Sequence, residues 1–175
     1  MTALRVAIVG HSQVPPELTG PNFTVHIFRR PGAKVNDWRE VPEFVDLLKS
    51  KFDLVFLWLG SNDITSTCQP NAILRQINLF ALQIENSCEA RVVVVEVESR
   101  QYQRSRHFVP PNQYLRIRRA INIRLHLQKR YSLLSFGALK FELATDGVHF
   151  KAQSKLMIKQ KFMTYIEKFR AGTLV

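Results

Sequence analysis

Three short motifs hold residues whose types and spacing suit acyl transfer through a serine. Gly10-His11-Ser12 follows an apolar run near the start of the chain, Gly60-Ser61-Asn62-Asp63 follows a second, and Asp146-Gly147-Val148-His149 opens the last helical segment. Chemistry of this kind needs a nucleophile, a base, a group that orients the base, and donors aimed at the developing oxyanion. Ser12 is the candidate nucleophile and His149 the candidate base. A spacing of three on a tight loop lets the Asp146 carboxylate fold back onto the His149 imidazole. Asn62 offers a side-chain amide to an oxyanion, and Asp63 caps the following turn or braces the loop. Gly32, in Arg30-Pro31-Gly32-Ala33, offers a backbone N–H from a Pro-Gly turn. Each motif alone has a plainer explanation as a strand end, a helix start or a turn. Their order and placement carry the argument.

Alternating elements must bring these motifs together. Leu4–Val9 is a continuous apolar run ending at glycine, as a buried parallel strand should be. Phe23–Phe28, Leu54–Leu59 and Arg91–Val97 read as further strands, and Tyr131–Phe136 and Leu139–Leu143 as short extended pieces. Asn36-Asp37 offers an N-cap to a helix carrying Val41, Phe44, Val45 and Leu48. Ile73, Ile77, Phe80 and Ile84 mark a second amphipathic helix, and Pro110-Pro111 starts a third that reaches about Arg130. The last helix runs from about Ala152 to Arg170, with Ile158, Phe162, Tyr165 and Phe169 as its buried stripe. Strands alternating with helices indicate an α/β domain with a mainly parallel sheet covered on both faces. Ligands of such folds gather at the carboxyl ends of the strands, where Ser12 and Asn62 both lie.

The 175 residues read as one domain, 1–175, with 46% apolar residues. Two cysteines, Cys68 and Cys88, suit a reduced, intracellular protein better than a disulfide framework. No segment approaches the roughly 18 apolar residues of a membrane span, and the N-terminus lacks the pattern of a signal peptide. A cytoplasmic location is therefore expected. The chain also begins almost directly on a strand, as an excised domain would.

Charge is the second signal. The net charge is +11, and Ser99 to Phe141 contains no Asp or Glu while Arg100, Arg104, Arg106, Arg116, Arg118, Arg119 and Arg124 fall there. Such a field suits RNA, an anionic membrane surface or an acidic substrate. Aromatics interleave poorly with these arginines, so base stacking is not expected. Arg104, Arg106 and His107 lie in a loop after a strand's carboxyl end and are candidates to meet a phosphate or carboxylate of a substrate.

On these blocks the chain resembles the SGNH hydrolases, the GDSL-type esterases and lipases. Gly10-His11-Ser12 is similar to the block bearing the nucleophile, and Gly32 stands where the second block places its oxyanion glycine. Gly60-Ser61-Asn62-Asp63 and Asp146-Gly147-Val148-His149 match the third and last blocks completely. The resemblance implies a three-layer α/β/α sandwich with a flavodoxin-like sheet of about five strands. It also implies a Ser12–His149–Asp146 triad, an oxyanion hole of Ser12 N–H, Gly32 N–H and the Asn62 amide, and no metal or cofactor. The family usually has Asp before the serine; here His11 stands there, a second titrating group and a candidate to meet substrate. Short segments between blocks leave little chain for a lid over a long acyl chain, so short acyl groups such as acetyl are expected, carried on a small ester or a lipid ester. Compact size, basic charge and the absence of a signal are similar to esterase domains in the first open-reading-frame proteins of some non-LTR retrotransposons. Two readings stay open: an active esterase, or an RNA- or membrane-binding module on a hydrolase fold.

Overall fold

The structure is a computed structural model that describes residues 3–100, 109–137 and 139–174. Five strands form one parallel sheet: β1 (Leu4–Gly10), β2 (Phe23–Arg29), β3 (Leu54–Trp58), β4 (Arg91–Val95) and β5 (Ser132–Leu134), in the order β2-β1-β3-β4-β5. Among the described residues four α-helices cover it: α1 (Pro42–Lys49), α2 (Pro70–Cys88), α3 (Pro111–Gln128) and α4 (Ala152–Arg170). This is the doubly wound arrangement with a flavodoxin-like strand order.

Burial on both faces explains why β3 is apolar throughout and β1 is apolar from Val6 onward. Ala7, Val9, Val55, Leu57, Val92 and Val94 pack under α1, α2 and α3, while Val6, Ile8, Phe56, Trp58, Val93 and Val95 pack under α4. The alternation follows from the two-residue period of a strand. On the first face Phe44 stacks on Phe80 with ring centroids 4.8 Å apart. On the second, Phe56 meets Phe162 and Tyr165 edge-on. Edge strand β2 has Phe23, Val25 and Ile27 packed on the α4 side, with Thr24 and His26 between them exposed.

Some boundaries differ from the sequence expectation. Asn36-Asp37 caps no α-helix: it opens a short 3₁₀ turn, Asn36–Glu40, and Asp37 accepts the Lys34 N–H instead. Helix α1 begins at Pro42, and Val45 is exposed where Leu47 is buried. Strand β4 stops at Val95 because the Val97 backbone is satisfied by a helix: Asn122 accepts its N–H and donates to its carbonyl, each at 3.0 Å. Between Leu139 and Leu143 only Leu143 pairs, in an isolated bridge with Phe150. The α4 bounds agree, but its fully buried stripe is Ile158, Phe162 and Ile166, with Tyr165 and Phe169 half-buried beside it. Among the described residues no helix is long and apolar enough to cross a membrane. Cys68 and Cys88 are both free thiols.

The sheet order reverses between β1 and β3, so a crevice forms beyond their carboxyl ends. Ser12 follows β1 and Asn62 follows β3. Phe80, within α2, is fully buried against Phe44. Phe80→Ala is expected to lower the unfolding free energy by about 3–5 kcal/mol, read by urea denaturation.

Candidate active site

The nucleophile turn is fixed by close packing. A Cβ on Gly10 would lie 2.5 Å from Val14 Cγ2 and 2.7 Å from the Trp58 carbonyl oxygen, so only glycine lets the chain leave β1 here. The Val14 N–H closes the turn onto the His11 carbonyl at 3.1 Å. Ser12 is half-buried at its apex. Its neighbour Gln13 is buried and ties the turn to the Asp146–His149 loop: the amide donates to the Val148 carbonyl at 2.5 Å and accepts the Phe150 N–H at 3.4 Å. Those contacts flank His149. No hydrogen bond joins Ser12 to His149 among the described residues; Gln13 is the link between their loops.

The acid–base loop folds on the Asp146 carboxylate. One oxygen accepts the Val148 and His149 N–H groups, both at 2.9 Å, and the other lies 2.6 Å from His149 Nδ1. The hydrogen bond from the His149 side chain, helped by the two backbone N–H groups, holds the Asp146 pKa well below the usual carboxylate range. The carboxylate is therefore the acceptor and Nδ1 carries the proton, which leaves Nε2 free to act as a base. Asp146 does not cap α4. That helix starts at Ala152, and the loop before it is closed by the Ala144–His149 and Lys151–Glu142 backbone bonds.

On the other side of the crevice, two loops are strapped together. Arg30, Pro31, Gly32 and Ala33 form a turn with an Ala33 N–H to Arg30 carbonyl bond of 3.2 Å and Gly32 at φ +74°. Proline followed by a positive-φ glycine is the type II pattern. The Gly32 N–H has no acceptor among the described residues. Asn62 Nδ2 donates to the Ala33 carbonyl at 2.9 Å, and the Asp63 carboxylate accepts the Val35 N–H with both oxygens at 3.2 Å. Burial, opposed mainly by that N–H, pushes the Asp63 pKa from its ordinary 3.8 to about 6.

Behind Asn62 lies a buried ionic network. Glu98 is fully buried, and Arg100 is 4% exposed. Arg100 Nε and Nη2 donate to Glu98 Oε1 at 3.1 and 2.9 Å, Nη2 to Ser61 Oγ at 2.7 Å, and Nη1 to Asn62 Oδ1 at 2.9 Å. Because a guanidinium only donates, the atom of Asn62 facing it must be the oxygen, and Nδ2 is turned toward Ala33 and the crevice. Glu98 Oε2 accepts the Trp58 indole N–H at 3.1 Å and lies 3.3 Å from His11 Nε2. His11 Nδ1 accepts the Gln13 N–H at 3.3 Å, so the ring proton sits on Nε2, facing the carboxylate. Burial works to raise the Glu98 pKa, yet the facing His11 and Arg100 outweigh it and hold the group well below the carboxylate range.

This placement corrects one expectation. His11 is fully buried against Trp58 and Glu98, so it faces the core and not a substrate. Arg104, Arg106 and His107 lie outside the described residues. Three site residues escaped the sequence reading: Gln13, Glu98 and Arg100. Glu98 left a trace, as the last carboxylate before a long acid-free stretch, set just past a strand too apolar to be solvated. Among the described residues no cluster of His, Cys, Asp and Glu is arranged to hold a metal ion.

The sequence matches no family model and no curated relative. Solved structures do share its fold. A GDSL-like lipase from Bacteroides thetaiotaomicron is 17% identical with a TM-score of 0.67, over 94% of this chain and 88% of that one. A carbohydrate esterase of family 3 from Talaromyces cellulolyticus is 13% identical with a TM-score of 0.70, over 95% and 97%. An acetyl xylan esterase is 12% identical with a TM-score of 0.66, over 93% and 100%. The chain thus has the α/β fold of GDSL-type hydrolases.

Two expectations follow from the buried charges. Glu98→Ala strands Arg100 without its carboxylate and should cost about 3–5 kcal/mol of stability in denaturant unfolding, whereas removing both partners costs less than the sum of the single changes. Asp63 binds its proton more tightly folded than unfolded. Its contribution is therefore fully present below pH 3.8 and lost as pH rises through about 6. Asp63→Asn should remove that loss, so that its stability relative to wild type rises by about 2 kcal/mol from pH 4 to pH 7.

Proposed function

We propose that the chain is a serine esterase of the SGNH type. The observation that carries this reading is the Asp146–His149 pair at 2.6 Å, held against the Ser12 turn by the Gln13 clamp. Ser12 attacks the ester carbonyl while His149 Nε2 takes its proton, and Asp146 stabilises the imidazolium. The Ser12 N–H, the Gly32 N–H and the Asn62 amide hold the oxyanion. His149 returns the proton to the departing alcohol, and water then releases the acid. Arg100 acts through Asn62: by fixing the amide oxygen it aims Nδ2, a positioning role.

Short acyl groups, acetyl above all, are the proposed acid portion. The structural neighbours include an acetyl xylan esterase and a carbohydrate esterase, which supports ester hydrolysis without naming this chain's alcohol. Membership of the SGNH superfamily rests on the four blocks together with the fold. The finer likeness to retrotransposon esterase domains gains nothing from these neighbours. A polyanion-binding role remains the second reading, favoured by the exposed Arg116 and Arg119 of α3, although Arg118 on the same helix is tied to the Val97 carbonyl at 2.8 Å.

Hydrolysis of p-nitrophenyl acetate, butyrate and octanoate tests the proposal. Acetate is the expected best substrate. Ser12→Ala should abolish turnover, Asp146→Asn should cut it by about 1,000- to 10,000-fold, and Asn62→Ala by about 100- to 1,000-fold. Arg100→Lys should lower kcat with little change in KM, because the amide is loosened and substrate binding is untouched. Turnover that survives Ser12→Ala overturns the proposal.

A further inference from the structure

A cavity of about 450 Å³ opens beside Ser12, within the range of small-molecule sites. One wall is the connection from β1 to β2 and the other is the start of α4. Lys155, Leu156 and Lys159 fall on one face of α4, separate from the core stripe of Ile158, Phe162 and Ile166. Leu156 is 51% exposed, an apolar surface left open on that wall. Arg29, at the end of β2, adds a third cation, and among the described residues Glu17 is the one carboxylate lining the cavity. None of these four charged groups is in an ion pair among the described residues. The cavity therefore has an apolar wall and an excess of positive charge within reach of the nucleophile.

Position decides which part of an ester would enter. The α4 wall begins three residues after His149, the base that must protonate the leaving oxygen. The group on that side is the alcohol. Building on the esterase reading, we propose that this cavity selects esters whose alcohol portion carries an anionic group, a carboxylate or a phosphate, held by Arg29, Lys155 and Lys159. An anion there gains attraction from three unpaired cations against one carboxylate, and the apolar wall takes the carbon frame that links it to the ester oxygen.

Two acetates of similar size test this: 4-acetoxybenzoate, which is anionic, and 4-acetoxybenzamide, which is neutral. Each kcat/KM is divided by the ester's own alkaline hydrolysis rate, which removes leaving-group differences. The benzoate should be favoured about tenfold at low salt, mostly through KM, and the preference should shrink at about 0.5 M salt. Lys155→Glu with Lys159→Glu should reverse it. Lys49→Glu with Lys51→Glu makes the same change in net charge at the amino end of β3, remote from the crevice, and should preserve the preference. Equal selectivity toward both esters in the wild type, or a preference untouched by the α4 reversal, overturns the proposal while Ser12-dependent turnover upholds the esterase reading. If neither these acetates nor p-nitrophenyl acetate is hydrolysed, the esterase reading falls and this one with it.

Discussion

The site is organised around a carboxylate that water cannot reach. Glu98 has no exposed surface, and an isolated charge in such a place would be prohibitive. Arg100 answers it with two donated bonds, Trp58 with a third, and His11 approaches from the remaining side. These partners come from the ends of three neighbouring strands. His11 follows β1, Trp58 ends β3 and Glu98 with Arg100 follows β4. The buried charge thus cross-links the carboxyl ends of the sheet where its order reverses. The donors left over on Arg100 are spent on Ser61 and Asn62, so the group that neutralises the carboxylate also orients the candidate oxyanion amide.

This gives physical sense to His11. The resemblance leads one to expect a carboxylate just before the nucleophile, and here the carboxylate comes from the strand two places away, with histidine facing it. In this chain the turn is tied to the sheet through His11 and a carboxylate that lies beyond the end of β4. His11 also accepts the Gln13 N–H, and Gln13 grips the acid–base loop with its side chain. A continuous set of polar contacts therefore runs from Asn62 through Arg100, Glu98, His11 and Gln13 to the residues flanking His149.

The two halves of the site differ in solidity. Asn62, Asp63 and the Gly32 turn are strapped to one another and backed by the core, the rigidity that the proposed oxyanion donors would need. The His149 side chain is 47% exposed, and its geometry depends on local bonds to Asp146 and on the Gln13 clamp. Exposure suits the proposed base, which would exchange its proton with a leaving group and with water, and the open cavity beside Ser12 is lined by the start of the helix that follows it.

The sequence by itself determined the layered α/β architecture. Buried parallel strands are apolar runs and covering helices are amphipathic, so Leu4–Gly10, Leu54–Trp58, Arg91–Val95 and Ala152–Arg170 were legible from local pattern. It also marked Ser12, Asn62, Asp146 and His149 as candidates, because their motifs are short and continuous. The Asp146–His149 contact was legible too, since both partners lie on one loop. Only the tertiary structure decided what surrounds them. Gln13 meets Val148, Arg100 meets Asn62 and His11 meets Glu98 across separations of 135, 38 and 87 residues, and no periodicity encodes which distant side chain will face another. Whether a histidine or an arginine points to solvent, to substrate or into the core is fixed by the packing of the strand ends. The same polar residue reads identically in sequence before that packing is known.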